Sequence, residues 1–123
     1  MQKEIHRGEI WLAELIGGKG SEQKLIRPVV VMQNDIGNYY SPTVTIVPLT
    51  SQNKKWMPTH VTLHRTTCLR ALSIALAEQV DTISKERFIK YIGNIGYSEI
   101  LEIENALMVQ LGIENKNNIA YAN

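Results

Sequence analysis

Apolar and polar residues alternate in short runs through most of this chain, and a helical repeat emerges only near its end. Glu9 to Leu15 reads as a first strand, Val29 to Gln33 as a second, and Thr43 to Leu49 as a third, rich in Thr, Val and Ile. Gly17-Gly18-Lys19-Gly20-Ser21, between the first two, predicts a flexible loop running up to Arg27. Asn34 to Pro42 gathers turn formers with Tyr39 and Tyr40. Pro48 removes a backbone donor inside the third run and predicts an edge position or a bulge. Residues 51 to 58 read as a polar loop, Thr59 to Leu63 as a short strand, Leu72 to Val80 as a longer one and Phe88 to Ile92 as the last. Ser84 is placed to cap a short helical turn through Arg87. From Ser98, Ile100, Ile103, Leu107 and Leu111 form one helical stripe, with Gly112 as its stop. The pattern is mainly β with a C-terminal α-helix, arranged as a small, strongly twisted antiparallel barrel.

A length of 123 residues with no internal repeat implies one domain, 1–123, with a polar C-terminal tail at 113–123. The single cysteine, Cys68, permits no internal disulfide and is expected to be a buried small hydrophobe in a reducing compartment. With neither a signal sequence nor a membrane-length apolar run, the expectation is a cytoplasmic protein with no membrane association. The net charge of +1 hides an uneven distribution. Residues 36 to 77 contain no Asp or Glu, but carry Lys54, Lys55, Arg65, Arg70, His60 and His64. A segment of that kind either attracts polyanions through its local field or is a set of solvated cations in a loop.

Few residues suggest chemistry. Arg27 stands directly before Pro28, which keeps it extended, and a stiffly mounted guanidinium suits a planar oxyanion such as phosphate, or a surface ion pair. The glycine-rich loop lacks the Gly-Lys-Ser/Thr ending of a nucleotide-binding loop. His60 and His64 have a zinc-like spacing, but the Val61-Thr62-Leu63 between them favours strand and no third ligand accompanies them; no metal and no cofactor is expected. Tyr39, Tyr40 and Trp56 lie beside the basic segment, where they serve either to stack on unpaired bases or to plug the fold; Trp11, within a strand, is expected in the core.

Seven short motifs stand in one order: Arg7-Gly8-Glu9-Ile10-Trp11, Gly20-Ser21-Glu22-Gln23, Arg27-Pro28-Val29-Val30-Val31, Gln33-Asn34-Asp35, Ser41-Pro42-Thr43, Pro58-Thr59-His60-Val61 and Glu78-Gln79-Val80. In this order the chain resembles the MazF/PemK-like toxins, the endoribonuclease halves of type II toxin–antitoxin pairs, over roughly residues 6 to 112. The resemblance implies an SH3-like barrel of the CcdB/MazF type, a homodimer, and metal-independent, sequence-specific cleavage of single-stranded RNA. It also implies a MazE-like antitoxin that covers the RNA groove. It assigns catalysis to Arg27 and Thr50, and leaves Glu22, Gln23, Lys54, Lys55, Trp56 and His60 as RNA-binding candidates. Lys24-Leu25-Ile26 departs from the Gly-Gly often found in the family at that place.

RNA carries its own nucleophile, the 2′-hydroxyl beside the scissile phosphate. Arg27 is suited to stabilise the charge added to the phosphate, and Thr50 to donate a hydrogen bond to it. Arginine stays protonated to pH ~12 and is a poor general base; Glu22 and His60 are the alternatives, and the pattern does not choose between them. Two other functions compete: a CcdB-like toxin that binds DNA gyrase without chemistry, and a nucleic-acid-binding barrel with no reaction. The gyrase poisons depend on a Trp-Gly-Ile ending, whereas this chain ends Ala120-Tyr121-Ala122-Asn123.

Overall fold

The computed structural model describes residues 3–17 and 23–114. Seven strands and two α-helices follow in the order β1 (Glu9–Gly17), β2 (Gln23–Val31), α1 (Asp35–Tyr40), β3 (Thr43–Thr50), β4 (His60–Thr62), β5 (Ile74–Leu76), β6 (Asp81–Ser84), β7 (Phe88–Asn94) and α2 (Tyr97–Leu111). All strand pairs are antiparallel. β7, β1, β2 and β3 lie side by side, and the far edge of β3 is shared. Its first half, Thr43 to Ile46, pairs with β6, and its end, Leu49 and Thr50, pairs with β5, which in turn carries β4. Among the described residues the sheet edges do not bond to each other, so the sheet is curled rather than a closed barrel.

Two cores result. On one face of the curled sheet, Trp11, Ala13, Val29, Val31, Val44, Ile46, Ile83 and Phe88 are buried together, joining β6 and β7 through side chains alone. Trp11 sits edge-on to Phe88 and Tyr91, and its indole N–H donates to Glu9. The other face, with Ile10, Val30, Val47 and Leu49, packs with Val61 and Ala75 against Ile103 and Ala106 of α2. Both faces of β2 and β3 are therefore buried, which explains their continuous apolar runs.

Several elements differ from the pattern's expectation. β2 begins at Gln23 rather than Val29, because Leu15 pairs with Leu25 and Glu14 with Ile26 to lengthen the hairpin. Arg27 is thus inside a strand, opposite Ala13. The turn-forming segment after β2 is a helix capped by the Asn34 side chain, and Tyr39 and Tyr40 ride on it, exposed. The run 72–80 yields only three strand residues before a 3-10 turn, and β6 follows where no strand is expected. α2 stops at Gly112 in the left-handed conformation (φ 68°), yet Leu111 is 62% exposed; Glu99 and Ala106 join Ile103 on its buried face. Cys68 is exposed rather than buried.

The family-like motifs explain much of the frame. The Arg7 guanidinium donates to the Met32 carbonyl and to Glu104 on α2, while its backbone N–H donates to Asp35. Gly8 has φ 89°, and a Cβ there would come within 2.8 Å of Ile100 Cδ1. Gln33 bonds the backbone of Thr43 and Thr45 through both ends of its amide.

At Gly93 a Cβ would lie 2.6 Å from Cys68 Sγ, so the segment between β4 and β5 rests directly on the β7 backbone. Gly93→Ala is expected to lower stability by about 1–3 kcal/mol, as overpacking does, read as a lower denaturation midpoint. A midpoint equal to the wild type's would mean that the contact yields without cost.

Candidate functional site

The end of β3 defines the site. β2 and β3 pair as Val29 with Pro48, Val30 with Val47 and Val31 with Ile46. Continued two residues past the last pair, that register sets Arg27 level with Thr50, on the same face of neighbouring strands. Arg27 is half-buried, and among the described residues its guanidinium has no hydrogen bond or ion pair. Thr50 is 8% exposed; its hydroxyl oxygen accepts the Gln52 backbone N–H at 3.1 Å, and no acceptor among the described residues takes its proton. One guanidinium and one hydroxyl donor therefore remain uncommitted at the same level of neighbouring strands.

From Thr50 the same face continues across the small sheet, through Ile74 and Thr62, to a groove of about 380 Å³. Ser51, Lys54, Trp56, His60 and Thr62 are among its lining residues, and no acidic side chain is. Trp56 is 73% exposed at its edge. The structure thus brings Lys54, Trp56 and His60 together, and leaves Lys55 exposed on the same loop outside the lining. Gln23 opens β2 opposite Gly17, and Glu22 lies outside the described residues.

His60 is held from behind. Glu78 accepts from the Thr59 hydroxyl at 2.8 Å and meets His60 Nε2 at 2.9 Å, so the motifs Pro58-Thr59-His60-Val61 and Glu78-Gln79-Val80 lock together. Only 5% of the His60 side chain is exposed, and its Nδ1 is buried with no partner. Burial pushes the Glu78 carboxyl up, but the Thr59 and His60 hydrogen bonds, its own backbone N–H and the His60 charge outweigh it, leaving the carboxyl below its ordinary value. Asp35 is lowered as well, first by the Arg7 backbone N–H, against burial and with help from Asn38. Sequence reasoning placed His60 in the site but missed Glu78 as its anchor. The signal was available: a Thr-His pair, and a glutamate that is the first acid to return after Asp35.

A carboxyl depressed on folding stabilises the fold above its unfolded value, about 4.3 for Glu, and loses that contribution as pH falls through the folded value. Melting temperature is expected to drop on acidification from pH ~5, and Glu78→Gln to lower it at pH 7 while flattening the acid limb. An unchanged acid limb in the Gln variant would remove Glu78 from the titration.

Comparison with known proteins bears on the whole arrangement. Residues 6–111 match the family model of the PemK-like, MazF-like toxins of type II toxin–antitoxin systems. A sequence relative, "Endoribonuclease MazF" of Staphylococcus epidermidis, is 42% identical over 113 residues, covering 90% of this chain and 94% of that protein. Among solved structures, an endoribonuclease from a mycobacterial species superposes with a TM-score of 0.78 at 21% identity, over 94% of this chain and 98% of its own. Another mycobacterial endoribonuclease, solved in complex with its cognate antitoxin, gives 0.76 at 22% identity, over 90% and 98%. At such identity these two establish the fold, a mainly antiparallel sheet with a C-terminal helix, while the family match and the closer sequence relative carry descent. The chain belongs to the PemK-like, MazF-like toxins of type II toxin–antitoxin systems.

Proposed function

We propose that this toxin is an endoribonuclease that cuts single-stranded RNA through the substrate's own 2′-hydroxyl and is neutralised by a MazE-like antitoxin. The observation that carries the reading is the pair of uncommitted donors, Arg27 and Thr50, brought level by the extended β2–β3 register, with Ser51, the residue after Thr50, lining a groove that has no acidic lining. The 42% identical relative named as an endoribonuclease supports the reaction class, and the solved toxin–antitoxin complex supports the partner.

In this mechanism Arg27 and Thr50 are the catalytic residues. The 2′-hydroxyl gives up its proton as its oxygen attacks the adjacent phosphorus, forming a 2′,3′-cyclic phosphate and breaking the bond to the 5′-oxygen, which takes up one proton and leaves as a hydroxyl, so the step is proton-neutral overall. Arg27 binds the non-bridging oxygens, whose charge rises in the transition state, and Thr50 donates a further hydrogen bond; a preorganised donor set of this kind needs no reorganisation when charge develops. Lys54 and Lys55 attract the backbone, Trp56 offers a stacking face and His60 forms a fixed wall of the groove. Glu22 and Gln23 precede Arg27 closely enough in the chain to contact the same RNA.

Arg27→Ala is expected to keep the fold and lower single-turnover cleavage by at least ~10²–10³, the usual cost of removing one such donor. Arg27→Lys recovers little, because an ammonium lacks the planar fork, and Thr50→Ala is milder. An RNA with one 2′-deoxy sugar 5′ of the cut resists cleavage while still binding. A downstream product carrying a 5′-phosphate would show that another nucleophile attacks. The active species is expected to be a homodimer; light scattering should report about twice 13.9 kDa, and an active monomer would overturn that part.

A further inference from the structure

We propose that a second cavity, beneath the segment from His64 to Leu72, is a nucleotide subsite in which Arg70 and Lys90 hold the RNA backbone beyond the cleaved phosphate. The inference rests on the RNA-cleaving function proposed above and adds residues that neither the motifs nor the family likeness single out.

The cavity measures about 540 Å³, within the range of small-molecule sites. Its floor is a row across three strands: Leu12 of β1 pairs with Pro28 of β2 on one side and with Lys90 of β7 on the other. Pro28 follows Arg27 in the chain, so alternation puts this floor on the opposite face of β2 from the Arg27 side chain. The two faces meet at the end of β3. Ser51 lines both this cavity and the groove of Lys54 and Trp56, and Thr50 borders the cavity too. A strand of RNA held at Arg27 and Thr50 has only to cross that rim to enter.

The walls suit what would arrive. Arg70 and Lys90 are the charged residues lining the cavity, no acid lines it, and neither cation has a hydrogen bond or ion pair among the described residues. Leu12 and Leu69 supply apolar surface for the face of a base. Both cations are exposed, so neither needs burial to hold a phosphate.

The wall that carries Arg70 is fixed at two points. Glu99, fully buried at 1% exposure on α2, accepts the Arg65 backbone N–H at 3.1 Å and the Thr66 hydroxyl at 2.7 Å. Cys68, two residues before Arg70, rests on the bare Gly93 backbone. A buried carboxylate given over to holding an otherwise irregular segment makes Arg70 a placed cation rather than a wandering one. Glu99 is accordingly a positioning residue for this subsite.

The test uses the full-length protein and an RNA that the wild type cuts, made uncleavable by a 2′-deoxy sugar at the cut and prepared in a long form and a form trimmed close to the cut. With Arg70 and Lys90 both replaced by Ala, the slope of log affinity against log salt for the long RNA should flatten by roughly 1.4, about 0.7 for each phosphate contact on a single strand. KM for the cleavable long RNA should rise with kcat unchanged, and the trimmed RNA should bind as it does to the wild type. Lys3→Ala, remote from this cavity, should leave the slope unchanged. A double variant with the wild-type slope and KM would overturn the subsite. So would a double variant that light scattering finds dissociated, since the cavity would then be a contact between two copies. Wild-type protein that neither binds nor cuts any RNA would instead sink the functional reading itself, before any variant is made.

Discussion

The third strand's change of partner governs the rest of the structure. Along its outer edge β3 faces β6 up to Ile46 and β5 from Leu49 onward. Pro48 lies between the two halves and supplies no N–H, so the ladder weakens where the strand must turn from one sheet to the other. Pro48 is also the last residue of β3 to pair with β2, opposite Val29. Once past it, Thr50 belongs to the small sheet while Arg27 stays with the large one. A donor from each sheet therefore stands at the junction, and the polar loop 51–58 leaves from the same place. The site is where the sheet divides.

Charge follows the same division of labour. Glu9, Asp35, Glu78, Glu99 and Glu104 accept hydrogen bonds from backbone or side-chain donors that hold the N-terminal segment, α1, β4, the 64–72 segment and α2 in place. Their charge is spent inside the frame, on N–H and O–H groups that would otherwise lack partners. Arg27, Lys54, Arg70 and Lys90 have no such engagement among the described residues; the last three line the two cavities at the end of β3, and Arg27 immediately precedes Pro28, which lines the larger. A chain of net charge +1 thus gathers uncommitted positive charge around these cavities.

Strand and helix types were largely legible in the sequence, because alternation and a capped amphipathic stripe report directly on burial. The misses have local causes. Leu25 and Ile26 extend β2 through pairing with β1, a long-range partner that a glycine-rich stretch conceals. α1 spans six residues, too short for a hydrophobic period, though Asn34 was readable as a cap. Leu111 keeps the helical spacing but lies past the last turn that the sheet covers. In the site, Arg27 stood out through Pro28, and Thr50 entered only through family likeness. Arg70 was legible only as one charge of the basic segment and Lys90 carried no signal, because topology alone brings the segment after β4 against β7. Glu99 looked like one more acid on a helix; only its burial shows its task.

The proton acceptor is where geometry narrows chemistry most. His60 was one of the alternatives for the base, but Glu78 occupies one ring nitrogen and the other is buried without a partner. A base must reach the proton it removes, within about 3 Å or through one water, and a ring enclosed on both sides does not. His60 and Glu78 are therefore better understood as the rigid back of the groove, each fixing the other. Of the two alternatives for the base this leaves Glu22, outside the described residues, and on the proposed mechanism the described part of the site contributes charge placement: a guanidinium level with a hydroxyl whose oxygen accepts from Gln52. Those two groups act by lowering the cost of the charged phosphorane, and their part of the rate should depend on how closely Arg27 and Thr50 are held.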